Sequence, residues 1–105
     1  MAFSLAKFIE ATNSDTNELH IRPRVFCLDG FSISIQAGIG HHSTPNDKNN
    51  YTYYSCLELG YPSKDDSLSE LAQYKDIGDV YSYVDWMVVE KLLDKHGGIF
   101  SYSFQ

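Results

Sequence analysis

Two adjacent histidines, His41 and His42, are the residues in this chain best placed to do chemistry. They lie in a loop-forming stretch, residues 38–50, that is rich in glycine, asparagine and aspartate. Adjacent histidines rarely bind one ion together, and the chain lacks the Cys-x-x-Cys and His-x-x-x-His spacings of common zinc sites. We therefore expect these histidines to make loop contacts with a partner, and we expect no metal and no cofactor. On paper, further metal ligands would have to come from distant positions: His20, Asp47, Cys56 and His96.

The two cysteines, Cys27 and Cys56, raise the question of a nucleophile that is activated by His41 or His96. Each cysteine lies in an apolar, alternating run, which favours a small buried side chain. No glycine turn of the kind that forms an oxyanion hole surrounds either cysteine. The sequence therefore predicts a protein that is not an enzyme.

The formal net charge of −6 comes entirely from residues 58–94. This segment holds nine carboxylates and three lysines, while the acids and bases of the remaining chain cancel. Tyrosines lie among the acidic residues, and tyrosine is frequent at binding hot spots. The sequence therefore predicts a partner-binding surface built from these residues: Asp65, Asp66, Glu70, Asp76, Asp79, Asp85, Tyr74, Tyr81 and Tyr83.

An acidic surface with tyrosines suits the capture of a partner rich in lysine and arginine. The same charge opposes direct binding to nucleic acid or to anionic lipid. Solubility is the alternative explanation of the charge, and local roles compete with binding as well. Glu70 can form a capping box with Ser67, and Asp85 can cap a helix.

The chain has 105 residues with 43% hydrophobic content, which predicts one folded domain over residues 1–105. Its first ten residues include Lys7 and Glu10 and lack the apolar run of a secretory signal. No stretch approaches the roughly 20 apolar residues of a membrane span. We therefore expect a cytoplasmic protein that does not associate with membranes.

Hydrophobic periodicity predicts an α+β fold, in which a small, mostly antiparallel sheet of four to five strands packs against two to three helices. Asp29-Gly30 marks a hairpin turn between the first two strands, and Gly97-Gly98 ends the last helix. The predicted helices cover residues 4–12, 67–74 and 86–96. The predicted strands cover residues 24–28, 31–37, 51–61, 80–84 and 99–104.

Four short segments carry a resemblance to small uncharacterised proteins of bacteriophages and prophages. The segments read DGFSISIQA at 29–37, HSTP at 42–45, VYSYV at 80–84 and KHGGI at 95–99. The resemblance spans residues 24–99 and includes no catalytic signature. Asn46 and Asp85 depart from the pattern, in which arginine and proline would be expected at these positions. The second departure adds to the acidic segment.

The resemblance implies a phage-encoded inhibitor of a host defence complex, of the anti-CRISPR type, acting in the host cell cytoplasm. Such a protein would bind the host protein or ribonucleoprotein stoichiometrically and mimic nucleic acid at a basic binding site. Two alternatives stay open. One is a protein that binds a nucleotide signal or a metal through the 38–50 loop. The other is a small virion structural or assembly protein, working as a homodimer through the strand at 99–104.

Overall fold

The computed structural model describes residues 3–14, 16, 20–64 and 70–104. Within these ranges the chain forms two helices and five antiparallel strands in one sheet, which confirms the predicted α+β fold. The elements in chain order are α1 (Leu5–Thr12), β1 (Arg24–Cys27), β2 (Ser32–Gln36), β3 (Cys56–Gly60), β4 (Val80–Asp85), α2 (Trp86–Lys95) and β5 (Ile99–Ser103). The strand order across the sheet is β4-β3-β2-β1-β5, so β4 and β5 are the two edge strands.

One face of the sheet forms the hydrophobic core together with both helices. Ile33 and Ile35 of β2 and Leu57 and Leu59 of β3 are fully buried. Side chains alternate across a strand, so the residues between these lie on the opposite face. The core cluster also contains apolar residues from one side of each helix: Leu5, Phe8, Ile9, Val89, Leu92 and Leu93. The opposite face, which we call the polar face, carries Ser32, Ser34, Gln36, Glu58 and Ser82.

Three predicted local signals are confirmed, while the capping box predicted for Ser67 and Glu70 involves a residue outside the described ranges. The Asp85 carboxylate accepts a hydrogen bond from the Met87 amide at 2.8 Å and caps α2. Gly97 and Gly98 follow α2 with φ of 88° and 85°, a conformation that side chains other than glycine rarely adopt. The first hairpin also forms as predicted, although Leu28 joins the turn and β1 ends at Cys27.

Arg22 is buried and ties the end of α1 to the end of β2. Its guanidinium donates to the carbonyl oxygens of Ile9 and Ala37 at 3.0 and 3.3 Å and to the Thr12 hydroxyl at 2.9 Å. Burial lowers the pKa of Arg22 from its ordinary value, and the neighbouring Tyr54 partly offsets this effect. A cation near the last carbonyls of α1 is favoured by the helix dipole, so the arginine has a structural role.

Two predicted elements are wrong in extent. The strand at 51–61 forms only from Cys56, because Tyr54 is buried in the core while Tyr53 is 60% exposed, which breaks the alternation. The predicted helix at 67–74 lies partly outside the described residues. Its described part contains a single 3-10 turn, Ala72–Tyr74.

Among the described residues, neither helix is long and apolar enough to cross a membrane.

Candidate functional site

The edge strand β4 contains a bulge at Ser82 and Tyr83. These two residues stand opposite the single residue Glu58 of β3, because the register shifts between Leu57 and Leu59. Tyr83 has a φ of 53°, in the left-handed region, which costs about 1–2 kcal/mol for a residue with a side chain. Bulges re-aim side chains, and this one brings the Ser82 hydroxyl and the Tyr83 ring toward the loop that carries the histidines.

His41 is held on the polar face by two hydrogen bonds. Its Nδ1 lies 2.9 Å from Glu58 Oε1, and its Nε2 lies 2.8 Å from the carbonyl oxygen of His20. Both ring nitrogens therefore lie within hydrogen-bond distance of an oxygen atom. The His41 and Glu58 side chains are only 10% and 18% exposed, so this contact anchors the loop to β3.

His42 extends the same network toward solvent. Its Nδ1 lies 2.7 Å from Ser82 Oγ, and that hydroxyl donates to Asp76 Oδ2 at 2.7 Å. The His42 ring stacks on Tyr83, with ring centroids 5.5 Å apart and an interplanar angle of 13°. The Tyr83 amide donates to the His42 carbonyl oxygen at 3.0 Å, so backbone and side chains fix the pair together.

The geometry differs from that of a serine hydrolase. In a catalytic triad the serine and the carboxylate bond to opposite nitrogens of the histidine. Here Ser82, Asp76 and Glu58 all lie on the Nδ1 side of His42, at 2.7, 3.4 and 3.6 Å. The Ser82 hydroxyl donates to Asp76 and lies beside His42 Nδ1, so this network fixes the position of the His42 ring next to Tyr83.

The turn between Asp76 and Val80 projects beside this cluster. The Asp76 amide donates to the Val80 carbonyl at 2.9 Å, and the Val80 amide donates to the Ile77 carbonyl at 3.1 Å, which closes the turn tightly. Ile77 at its tip is 80% exposed, the largest exposed fraction of the large hydrophobic side chains in the described part of the chain. Asp76 and Asp79 flank it and are also exposed.

We define the β4 surface as His42, Asp76, Ile77, Asp79 and Tyr83. Four of these residues were predicted from the sequence, as loop contacts or as partner-binding residues, and the structure brings them to one edge of the sheet. Tyr83 is 46% exposed. Sequence reasoning missed Ile77, which has a signal in its position between two aspartates, and it missed the roles of Glu58 and Ser82, for which the sequence carries no distinct signal.

The other predicted contact residues are placed elsewhere. Tyr81 is 2% exposed and lies in the core, so its ring offers no surface to a partner. Tyr74 is partly buried against the core. Glu70 pairs with Lys95 at 3.1 Å, and Asp85 caps α2. Asp65 and Asp66 lie outside the described residues.

Cys27 and His96 do not form an activated nucleophile. Burial, and to a smaller extent Asp29, raises the pKa of the Cys27 thiol to about 11, so it stays protonated at neutral pH. His96 instead stacks on Phe31 with centroids 3.9 Å apart, and its Nδ1 lies 2.7 Å from Asp29 Oδ2. The Phe31 amide and the His96 ring lower the pKa of Asp29 through their hydrogen bonds.

A cavity of about 330 Å³ lies on the polar face next to the histidine cluster. Its walls include His41, Glu58, Gln36 and Tyr61. In residues 3–14, 16, 20–64 and 70–104, no group of three or more His, Cys, Asp or Glu side chains is arranged to hold a metal ion.

Comparisons with protein-family models, with curated proteins and with solved structures give no match to this chain.

Proposed function

We propose that this protein is a stoichiometric inhibitor that binds a basic, nucleic-acid-binding site of a host defence complex through its β4 surface. The observation that carries the proposal is that two exposed side chains with large apolar parts, Ile77 and Tyr83, belong to β4 and the turn before it, as do the exposed Asp76 and Asp79. Interfaces commonly combine a few apolar or aromatic anchors with a polar rim.

Three side chains of the β4 surface, those of His42, Asp76 and Tyr83, are held in place by contacts within the chain. Glu58 holds His41, and Asp76 holds Ser82 and through it His42. Tyr83 rests on the His42 ring. Side chains that are already fixed lose less conformational entropy on binding, so such a surface binds with a smaller entropic cost.

The charge of the chain points to a basic partner. A net charge of −6 steers association with a lysine- and arginine-rich surface and weakens association with nucleic acid itself. A protein that occupies such a surface excludes the DNA or RNA that would bind there. Within this class, the resemblance to small phage proteins favours a CRISPR effector as the target and host cytoplasm as the site of action.

The test is inhibition of DNA binding by a panel of purified CRISPR effector ribonucleoproteins. We expect one effector to lose DNA binding at about one equivalent of the protein, with an inhibition that weakens as salt is raised. Ile77→Ser, at a position that is 80% exposed, should weaken the inhibition, whereas Met87→Ser, at an apolar position on α2 that is 68% exposed, should leave it intact. Full DNA binding by every effector in the presence of excess protein would contradict the assignment to this target class.

A second candidate function is supported by the cavity beside His41 and Glu58. The volume of the cavity suits a small ligand, and His41 and Glu58 are among the residues that line it. In this version residues 38–50 bind a nucleotide-type signal and the acidic residues provide solubility. Equilibrium binding to a nucleotide panel, with metal analysis of the purified protein, separates this function from the first.

A further inference from the structure

The edge strand β5 has backbone groups that point away from the sheet. The Cys27 amide donates to the Phe31 carbonyl, so Cys27 faces β2 and its neighbour Phe26 faces β5. Phe26 pairs with Ser101 and Arg24 pairs with Ser103. Because successive residues of a strand point their N–H and C=O groups in opposite directions, those of Tyr102 point outward.

Only the beginning of this edge is covered by the described part of the chain. The Phe3 amide donates to the Ile99 carbonyl oxygen at 2.8 Å, and this isolated bridge is followed by α1. Three phenylalanines beside the edge are substantially exposed: Phe3 at 42%, Phe100 at 54% and Phe104 at 54%.

β5 lacks the charged residues and prolines that usually protect an edge strand, although its pairing with β1 shifts register between Phe26 and Cys27, where Phe100 is the extra residue. Natural edges carry lysine, proline or inward-pointing charges that prevent pairing with another strand. Residues 97–104 contain no charged residue and no proline. The opposite edge, β4, has the bulge at Ser82, a bridge from Lys75 to Tyr81 and a hydrogen bond to the loop at His42.

We propose that β5 pairs antiparallel with β5 of a second copy of this chain, across a two-fold axis near Tyr102, to form a continuous ten-stranded sheet. An antiparallel strand pair is self-complementary and closes after two copies. Because β5 has no charged side chain, it cannot form an ion pair with a charged partner, which favours a second uncharged strand as the occupant. This inference does not depend on the function proposed for the β4 surface.

Part of the acidic charge lies far from β5, whereas Glu90 and Asp94 line a small cavity with Phe3 and Gly98 near the beginning of this strand. Glu58 of β3, together with Asp76 and Asp79 beside β4, lies about three to four strand spacings, or roughly 14–19 Å, from β5. That separation exceeds the Debye length of about 8 Å at physiological ionic strength, so these carboxylates repel the second copy weakly. The dimer would display its two β4 surfaces at the far ends of the sheet.

The test is the molar mass of the purified chain in solution over a range of concentrations. We expect the mass to rise from the 11.9 kDa of one chain toward twice that value. The variant Phe100→Lys/Phe104→Lys should remain at the mass of one chain, because two charges on each copy would meet across the axis. A monomer at every concentration of the unaltered chain would overturn the proposal.

Two further measurements keep the outcome unambiguous. The matched variant Tyr53→Lys/Met87→Lys changes exposed apolar residues away from β5 and should still dimerise. If it abolished the dimer while the β5 variant retained it, the interface would lie elsewhere. In the unaltered chain, hydrogen exchange of the Tyr102 amide should slow as concentration rises, and exchange that is independent of concentration in a dimerising sample would also overturn the proposal.

Discussion

The two edge strands of this sheet differ in almost every property that governs contact with other molecules. β4 is bulged, is bordered by Asp76 and Asp79, and bonds through its outer side to Lys75 and His42. β5 is uncharged, carries exposed phenylalanines and is bridged only at Ile99 within the described residues. At the β4 edge, other molecules would therefore meet mainly side chains, which we call a side-chain surface. At the β5 edge they would meet mainly backbone N–H and C=O groups, which we call a backbone surface. A side-chain surface selects a partner by charge and shape, whereas a backbone surface selects another strand.

The largest expected effect separates the two tyrosines of β4. Tyr81→Ala should lower the free energy of unfolding by about 3–5 kcal/mol, because it empties a fully buried position under the β4 edge. Tyr83→Ala removes a ring that is 46% exposed and should cost far less. Urea denaturation of the two variants measures the difference, and equal losses would mean that the inward and outward placement of these rings is wrong.

The next effect concerns the anchor beneath the β4 surface. Glu58→Gln should lower the free energy of unfolding by about 1–2 kcal/mol, because the mostly buried His41 loses its charged acceptor. Asp79→Asn, an exposed change in the neighbouring turn, serves as the control and should be nearly neutral. Hydrogen exchange should also show faster exchange of the Ser43 amide in the first variant only. Unchanged exchange there would contradict the anchoring role of Glu58.

A smaller effect is the difference in stability between a glycine and an alanine variant, which should have opposite signs at the two edges of the sheet. Tyr83→Gly should be more stable than Tyr83→Ala by about 1 kcal/mol, because glycine tolerates the φ of 53° that strains other residues. At Tyr102 in β5, which pairs regularly with Val25 and has no positive φ, the glycine variant should be less stable than the alanine variant by about 0.5–1 kcal/mol. Thermal or urea unfolding of the four variants tests this. If the glycine variant were the more stable one at both positions, or the less stable one at both, the proposed difference in backbone conformation between the two edges would be contradicted.

The smallest effect involves the turn that joins β1 to β2. The pKa of Asp29 is lowered in the folded protein, first by the Phe31 amide and then by His96. A lowered pKa means that the folded state favours the ionised carboxylate, so this contribution is present above the ordinary Asp pKa of about 3.9 and is lost as pH falls through the folded value. Asp29→Asn should therefore be less stable than the unaltered chain at neutral pH and equally stable in strong acid. A stability difference that is constant with pH would contradict this assignment.

Local signals in the sequence predicted most of the fold. The Asp-Gly turn, the Asp85 cap and the Gly97-Gly98 stop each depend on a few neighbouring residues, and all three are confirmed. The start of β3 was not predictable in this way. The run of tyrosines before Cys56 satisfies a strand's alternation on paper, but Tyr54 turns into the core and the Tyr51 carbonyl accepts from Asn13 on the segment after α1.

The candidate site was predictable in its residue types and only in part in its geometry. Residues two apart on a regular strand share a face, so Tyr81 and Tyr83 were expected to act together. The bulge separates them, and nothing in the local sequence indicates a bulge at Ser82. The contacts of His42 with Ser82 and of His41 with Glu58 join residues that are 40 and 17 positions apart. Such long-range contacts follow from strand pairing and cannot be read from spacing.

The most direct test of the function proposed for the β4 surface compares two charge-neutralised variants of equal net charge. Asp76→Asn/Asp79→Asn alters the β4 surface, and Glu90→Gln/Asp94→Asn removes the same charge from the exposed side of α2. Binding to a fluorescent arginine-rich peptide, followed by anisotropy at several salt concentrations, gives the affinity of each. We expect the first variant to bind about tenfold more weakly, equivalent to ~1.4 kcal/mol, and with a smaller salt dependence, while the second stays close to the unaltered chain. Equal losses of affinity in the two variants would show that only the net charge of the protein matters for binding. That result would contradict a specific binding surface at β4.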